Sequence, residues 1–171
     1  MRKIHYSVAM SLDGYISGTD GENDWIIIDP DINFESYMGR FDTFLMGRRT
    51  FEATGGGGTL PGSRVVVVSR TLRQEDYPDI KIVGEDLEQA VSDMRAEPGK
   101  DIWLFGGGTL FRSLLDLKLV DMVEVSIIPV LLGSGTPMLR PPGDRARLQL
   151  IGSVVYRKTG TVSLEYAIEY T

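Results

Sequence analysis

Cysteine is absent from the 171 residues, and histidine occurs once, as His5. Without thiols there is no disulfide framework, no thiol nucleophile and no thiolate metal site. A single imidazole cannot build a histidine-rich metal cluster, so no metal is expected. No apolar run approaches the ~20 residues that a membrane-spanning helix needs, and no membrane partner is expected. Met1-Arg2-Lys3-Ile4 leads into alternation rather than a secretory signal, which makes a cytoplasmic location the expectation. Bases are the minority charge: 18 against 24 acids leave a net charge of −6, which argues against broad nucleic-acid binding. Internal repeats, low-complexity tails and linkers are also missing, so one domain over residues 1–171 is the reading.

The bases that are present are unevenly placed. Between residues 40 and 73, six arginines (Arg40, Arg48, Arg49, Arg64, Arg70 and Arg73) face only Asp42 and Glu52. That surplus suits a compact polyanion such as a phosphorylated cofactor, or it is an ordinary solvated face.

Periodicity sets the order of elements. Ile4 to Met10 alternates as a strand, with Ile4, Tyr6, Val8 and Met10 on one face. His5 lies within that strand and reads as a satisfied structural residue. Ser11 to Asp24 reads as a long polar loop broken by Tyr15-Ile16. Asp31 is placed to cap a short helix through Phe34, Tyr37 and Met38 that ends near Gly39. Asp42 to Met46 is a strand ending at Gly47, followed by a short helix from Arg48 to Ala53 that Gly55 to Gly58 cannot extend. Arg64 to Ser69 is nearly all valine, as in a strand buried on both faces. Ile80 to Val83 is a shorter strand nearer the edge, and Asp86 to Glu97 a helix. Asp101 to Phe105 is a central strand whose Trp103 reads as packing, and it runs through Gly106-Gly107-Gly108 into a helix with Leu110, Phe111, Leu114 and Leu115. Met122 to Val130, Leu148 to Arg157 and Val162 to Tyr170 are strands, the last two forming a hairpin about Lys158-Thr159-Gly160. Strand and helix alternate early and strands dominate late. The expected fold is a three-layer α/β domain with a central mixed, mostly parallel sheet that ends in an antiparallel hairpin.

Three strand exits carry phosphate-binding chemistry. Ligands of open α/β sheets sit beyond the carboxyl ends of strands. Gly106-Gly107-Gly108-Thr109 lets backbone amides approach a diphosphate, or is simply a tight strand-to-helix turn. Gly47-Arg48-Arg49-Thr50 adds guanidinium and hydroxyl groups suited to phosphate, unless Arg48 or Arg49 only pairs with Glu52. Ser69-Arg70-Thr71 supplies a third set. No Lys-Ser/Thr pair follows the glycine triplet, so it is not a Walker A loop, and the spacing is not Gly-x-Gly-x-x-Gly. Separated anion sites match a dinucleotide with an extra ribose phosphate. A hydrolase is disfavoured, since there is no nucleophile elbow and no histidine placed as a base.

With those residues in hand, the chain resembles the dihydrofolate reductase superfamily. Within it, the chain is similar to the reductase domain of the bifunctional riboflavin-biosynthesis deaminase-reductase and its stand-alone relatives. Ser11-Leu12-Asp13-Gly14-Tyr15-Ile16, Asp24-Trp25, Asp42 to Glu52, Val66 to Arg70, Phe105 to Leu110 and Ile128 to Pro137 carry the resemblance in family order. It implies a dihydrofolate-reductase-like fold, NADPH as cofactor, a small pterin-like or aminopyrimidine-like heterocycle as substrate, and a homodimer. By the same resemblance Gly47, Arg48, Arg49 and Thr50 form a cofactor-phosphate segment, Ser69 and Arg70 the 2′-phosphate end, and Gly106, Gly107, Gly108 and Thr109 the diphosphate turn. A proton donor is expected among the acids near the active-site loop, with Asp13 and Asp31 as candidates. Asp13 otherwise orients its own turn, and Asp31 otherwise caps the helix. Trp25 and Glu35 are candidate substrate contacts, and Tyr37, Arg40 and Arg140 either serve an anionic substrate or are surface. No zinc-binding deaminase signature is present, so only the reductase half is expected. The competing reading is a non-catalytic nucleotide-binding domain that keeps the phosphate sites.

Overall fold

The polyvaline strand and its neighbours form the middle of an eight-stranded sheet in a computed structural model that describes residues 1–56 and 62–170. Gly57 and Gly58 of the glycine run lie outside the described residues. The strands are β1 (Ile4–Ser11), β2 (Tyr15–Ser17), β3 (Phe41–Gly47), β4 (Arg64–Val68), β5 (Lys81–Val83), β6 (Asp101–Gly106), β7 (Met122–Ile128), β8 (Thr136–Pro137), β9 (Arg147–Tyr156) and β10 (Thr161–Glu169). The helices are α1 (Phe34–Met38), α2 (Arg48–Ala53), α3 (Leu87–Ala96) and α4 (Gly108–Asp116). In space the large sheet runs β5-β4-β3-β6-β1-β7-β10-β9. From β5 through β7 every neighbouring pair is parallel, and β10 and β9 are added antiparallel. Among the described residues no helix is long and apolar enough to cross a membrane.

Alternation within these strands feeds two cores. On one face Ile4, Tyr6, Leu45, Val66, Ile102 and Leu104 pack against Val91 and Met94 of α3 and against Leu110, Phe111 and Leu114 of α4. The Tyr6 ring stacks on Phe111 with centroids 3.8 Å apart, and its hydroxyl donates to the Met138 carbonyl. On the other face Phe44, Met46, Val65, Val67 and Trp103 pack with Phe51 of α2, while Tyr37 and Met38 of α1 lean on the same cluster. Helices on both faces of one sheet give the three layers that the alternating pattern predicts.

Two local features differ from the sequence expectation. Asp31 does not cap α1; the Asn33 side chain accepts from the Ser36 amide instead, because Asn33 directly precedes the first helical turn. Tyr15-Ile16 is not merely an interruption of a loop. It is β2, which pairs antiparallel with β8 in a second small sheet. Gly135 makes that pairing possible: it has φ +142°, and a Cβ there would sit 2.2 Å from the Ser17 carbonyl oxygen. Gly108 plays a similar part, since its Cβ would lie 2.7 Å from the Pro137 carbonyl oxygen and 3.0 Å from that of Met138. The glycine turn thus seats the 137–138 segment against the start of α4.

The chain's start is clamped to the sheet by a buried guanidinium. Arg2 is 6% exposed and reaches Asp42, the Thr43 hydroxyl at 2.6 Å and the Lys100 carbonyl at 2.5 Å. Burial opposes the charge on Asp42. The Lys100 amide, the Thr43 hydroxyl and the Arg2 guanidinium outweigh it and hold its pKa below the ordinary 3.8.

Two outcomes follow from this packing. Replacing Gly108 with alanine forces a Cβ against backbone that cannot swing away, and should cost about 1–3 kcal/mol in urea unfolding. Asp42→Asn should cost about 1–2 kcal/mol at neutral pH, because the buried guanidinium loses its counter-charge while the half-open carboxylate is screened. A folded pKa below the unfolded one stabilises fully above pH 3.8 and is lost as pH falls through the folded value. The deficit of the variant against the parent should therefore shrink below pH 3.8, as read by unfolding midpoints across an acid series.

Candidate active site

Three parallel neighbours, β4, β3 and β6, end together. Met46 lies opposite Gly106 and Gly47 opposite Val68, so the exits of all three strands meet along one edge. Gly47 leads into α2 and Gly107 into α4, and neither helix has a side-chain cap. Gly106 has φ +140°, and a Cβ at Gly106 or Gly107 would lie 3.5 or 3.6 Å from the Thr50 hydroxyl. Bare backbone and one threonine hydroxyl therefore face each other across a space that side chains would fill.

Arginines flank this turn. The Arg48 guanidinium pairs with Glu52 at 3.0 Å, as the simpler reading of that residue has it, and also donates to the Thr71 hydroxyl at 2.7 Å. It thereby bridges the exits of β3 and β4. Ser69 is buried, and its hydroxyl oxygen accepts from the Thr71 and Leu72 amides, which fixes the turn that projects Arg70. Arg49, Arg70 and Thr109 are exposed beside these groups. The structure brings Gly47, Arg48, Arg49, Thr50, Ser69, Arg70, Gly106, Gly107, Gly108 and Thr109 to adjacent strand ends. Donors without nearby acids other than Glu52, around a glycine-lined turn, are what a multiply phosphorylated ligand requires.

The half of the sheet beyond β6 has no helix on the face that carries α1 and α2. Register there produces cross-strand rows: Ser7, Glu124 and Glu165 in one, Ala9, Ser126 and Ser163 in the next. Ser126 and Ser163 bond to each other at 2.9 Å. Glu124 is 8% exposed and collects the His5 ring Nδ1 at 2.6 Å, the Tyr37 hydroxyl at 2.6 Å and the Arg40 guanidinium at 2.9 Å. Burial works against its charge, and the contacts from His5 and Tyr37 with the Arg40 charge overcome that and lower its pKa below 4.5. Burial, followed by the charge of Glu124, pushes the Tyr37 phenol well up. His5 also reaches Asp101 at 3.1 Å, so it is a satisfied structural residue at the base of this network. Arg40 is occupied by Glu124, Glu165 and the rings of Tyr37 and Phe41.

An aromatic wall joins the polar floor to the glycine turn. Phe34 and Tyr37 of α1 lie against Trp103, with centroids 6.5 and 5.4 Å apart, and Trp103 lies 5.2 Å from Phe105, which precedes Gly106. The Trp103 indole donates to the Ser7 carbonyl, so this tryptophan combines packing with a polar anchor.

The expected acids are placed differently from one another. Asp13 accepts from the Ser11 hydroxyl at 2.6 Å, the Gly133 amide at 2.7 Å and the Leu132 amide at 3.1 Å. The Ser11 hydroxyl first, and then the Gly133 amide, bring its pKa down to about 2. An acid that strong is ionised at neutral pH, so Asp13 ties the β1–β2 turn to the 132–133 loop and has no proton to give. Asp31 pairs with Lys158 of the β9–β10 turn at 2.6 Å. Its neighbour Asp29, unremarked in the sequence, is fully buried and accepts from the Thr159 hydroxyl and amide and from the Asp31 amide. Trp25 is half-buried, with its indole N–H on the Glu22 carbonyl, and Glu35 is exposed on α1. The segment before α1 is thus latched to the hairpin that closes the far side of the polar floor.

Sequence reasoning missed Ser7, Glu124 and Ser126. The available signal was polar residues at every second position in β1 and β7, strands whose places in the sheet would otherwise favour apolar side chains.

Known proteins share this architecture. The uncharacterized protein YyaP of Bacillus subtilis (strain 168) is 33% identical over 96% of this chain and 94% of its own length. A solved structure from Shewanella sp. PV-4, provisionally ascribed to riboflavin biosynthesis, has a TM-score of 0.84 at 25% identity and covers 99% of this chain and all of that one. Dihydrofolate reductase from Enterococcus faecalis, solved with NADP(H) and an inhibitor-like compound designated RAB-propyl, has a TM-score of 0.74 at 18% identity over 98% of this chain and 97% of that one. The RibD C-terminal domain model matches residues 2–161. A dihydrofolate-reductase-like sheet and a match spanning nearly the whole chain lead to one assignment: the protein belongs to the RibD C-terminal domain family.

Proposed function

We propose that this protein is an NADPH-dependent reductase acting on a small planar heterocycle of the pyrimidine or pterin kind, in the cytoplasm. The observation that carries the reading is the convergence of Arg48, Arg70 and the Gly106–Gly107 turn on adjacent strand ends. NADPH fits the donor set, because it presents a diphosphate and a separate ribose phosphate, and it supplies hydride when bound. Gly47, Thr50, Gly106, Gly107, Gly108 and Thr109 would hold the diphosphate through amides and hydroxyls. Arg48, Arg49, Ser69 and Arg70 would hold the ribose phosphate, Ser69 by shaping the turn rather than by direct charge. The Enterococcus faecalis dihydrofolate reductase described above was solved with NADP(H), which supports the choice of cofactor.

The substrate side of this reading is the polar floor under α1. Phe34, Trp103 and Phe105 offer flat apolar surface to a ring, and Trp25 helps the preceding segment exclude water. Asp31 and Glu35 stand where that segment enters α1, as carboxylates for substrate contact. Asp13 contributes by fixing the loop around β2, which positions rather than protonates.

The reading extends to a homodimer. β9 is an edge strand whose Leu148, Leu150, Ile151, Val154 and Val155 are exposed on both of its faces. An unpaired apolar edge is a template for another chain, and a second copy is the partner that gives it closed symmetry.

Two measurements test these statements. Arg70→Ala should weaken NADPH about tenfold or more, the worth of a charge-assisted contact, while NADH changes less than about twofold. Titration calorimetry reads both, and equal losses would overturn the assignment of Arg70. Sedimentation should give a dimer at micromolar concentration, and Val155→Lys should shift it to monomer with its fold intact. A monomeric parent would contradict the dimer.

A further inference from the structure

We infer that Ser7, Tyr37 and Glu124 form a one-way hydrogen-bond chain that makes the polar floor select the N–H-bearing edge of a heterocycle over an acceptor edge. The inference rests on the reading of that floor as the substrate side of the site.

Direction is set at the buried end. A carboxylate only accepts, and Glu124 receives donors from His5, Arg40 and Tyr37. The Tyr37 hydroxyl carries one proton. At 2.6 Å from the Glu124 oxygen that proton must lie between them, since the reverse orientation would oppose phenol lone pairs to a carboxylate. Tyr37 is then an acceptor toward its other neighbour, the Ser7 hydroxyl, 2.5 Å away. Ser7 likewise has one proton, and it is spent on Tyr37. Its remaining lone pair is acceptor-only.

Ser7 is half-buried on β1, and its row continues into Glu124 and Glu165, with Ala9 as the next residue of β1 on the same face. Arg40 on this row is already engaged by Glu124 and Glu165. A ligand group set against Ser7 therefore meets an oxygen that can receive a proton and cannot offer one. An amino or ring N–H satisfies it. A carbonyl, ether or phosphate oxygen does not, and would leave two acceptors facing each other at a cost comparable to a lost hydrogen bond. Ser7 and Tyr37 are on this account specificity residues, and Glu124 is a positioning residue that acts through Tyr37.

The test uses 2-aminopyrimidine and 2-methoxypyrimidine, which share shape and are both neutral at neutral pH. Their binding to the full chain is followed by NMR titration without cofactor. The parent should bind the amino compound about tenfold tighter, the size of one hydrogen bond. Ser7→Ala should bring the two within about twofold, because the acceptor is gone while the Glu124 cluster keeps His5, Arg40 and Tyr37. Tyr37→Phe frees the Ser7 proton and should raise the relative affinity of the methoxy compound, a change of ratio that general loosening of the structure would not produce. Should Tyr37→Phe fail to fold, Ser7→Ala decides alone. Equal binding by the parent, no binding of either compound, or an unchanged preference in Ser7→Ala would each overturn the inference. The preference is read without turnover, so a protein that fails to bind NADPH would sink the reductase reading and leave this result legible.

Discussion

The parallel pairing of β3 with β4 on one side and β6 on the other is the constraint from which the rest of the site follows. Parallel strands in one sheet point their carboxyl ends the same way, and crossover connections return behind the sheet rather than over those ends. Gly47, Ser69 and Gly106 are far apart in the chain, yet register makes them neighbours. Glycines at two of the exits keep side chains out of the space between them. Arginines following the other positions then face that space without a matching number of acids. A phosphate-rich ligand is favoured by this combination of open backbone and excess positive charge, and neither half would suffice alone.

A second centre lies on the other half of the sheet, where no helix covers the face. There the strands carry Ser7, Glu124, Ser126, Ser163 and Glu165 at positions that would otherwise be apolar core. Burying a carboxylate is costly unless its lone pairs are filled, and Glu124 is filled by His5, Tyr37 and Arg40 from three separate parts of the chain. The cluster therefore links β1, α1, the approach to β3 and β7 in one hydrogen-bonded unit. Aromatic rings from Phe34 to Phe105 connect that unit to the glycine turn. A planar molecule in the cleft would meet rings along its face and hydroxyls along its edge, with its reacting atoms toward the cofactor end.

Much of this was legible in the sequence, for physical reasons that differ by element. The valine run of β4 and the apolar stripes of α3 and α4 are strong signals because burial demands them, and β3, β6 and the final hairpin lie within a residue or two of their expected bounds. The glycine turns were legible because few other contexts tolerate so many residues without a side chain. β2 and β8 were not, since strands of three and two residues carry no period, and their pairing rests on the close approach that Gly135 allows. The Asn33 cap was hidden by Asp31 two positions earlier, an equally good capping residue drawn away to Lys158. Glu124 escaped notice because its partner His5 is 119 positions distant, and nothing local marks a carboxylate in a strand as the hub of a network.

Chemical-shift mapping of the isotope-labelled protein during titration with NADPH tests the central claim most directly. The account predicts saturable shifts in the amides of Gly47 to Thr50, Ser69 to Thr71 and Gly106 to Thr109, three stretches united only by the fold. Shifts confined to one of those stretches, or an unchanged spectrum at millimolar NADPH, would contradict it.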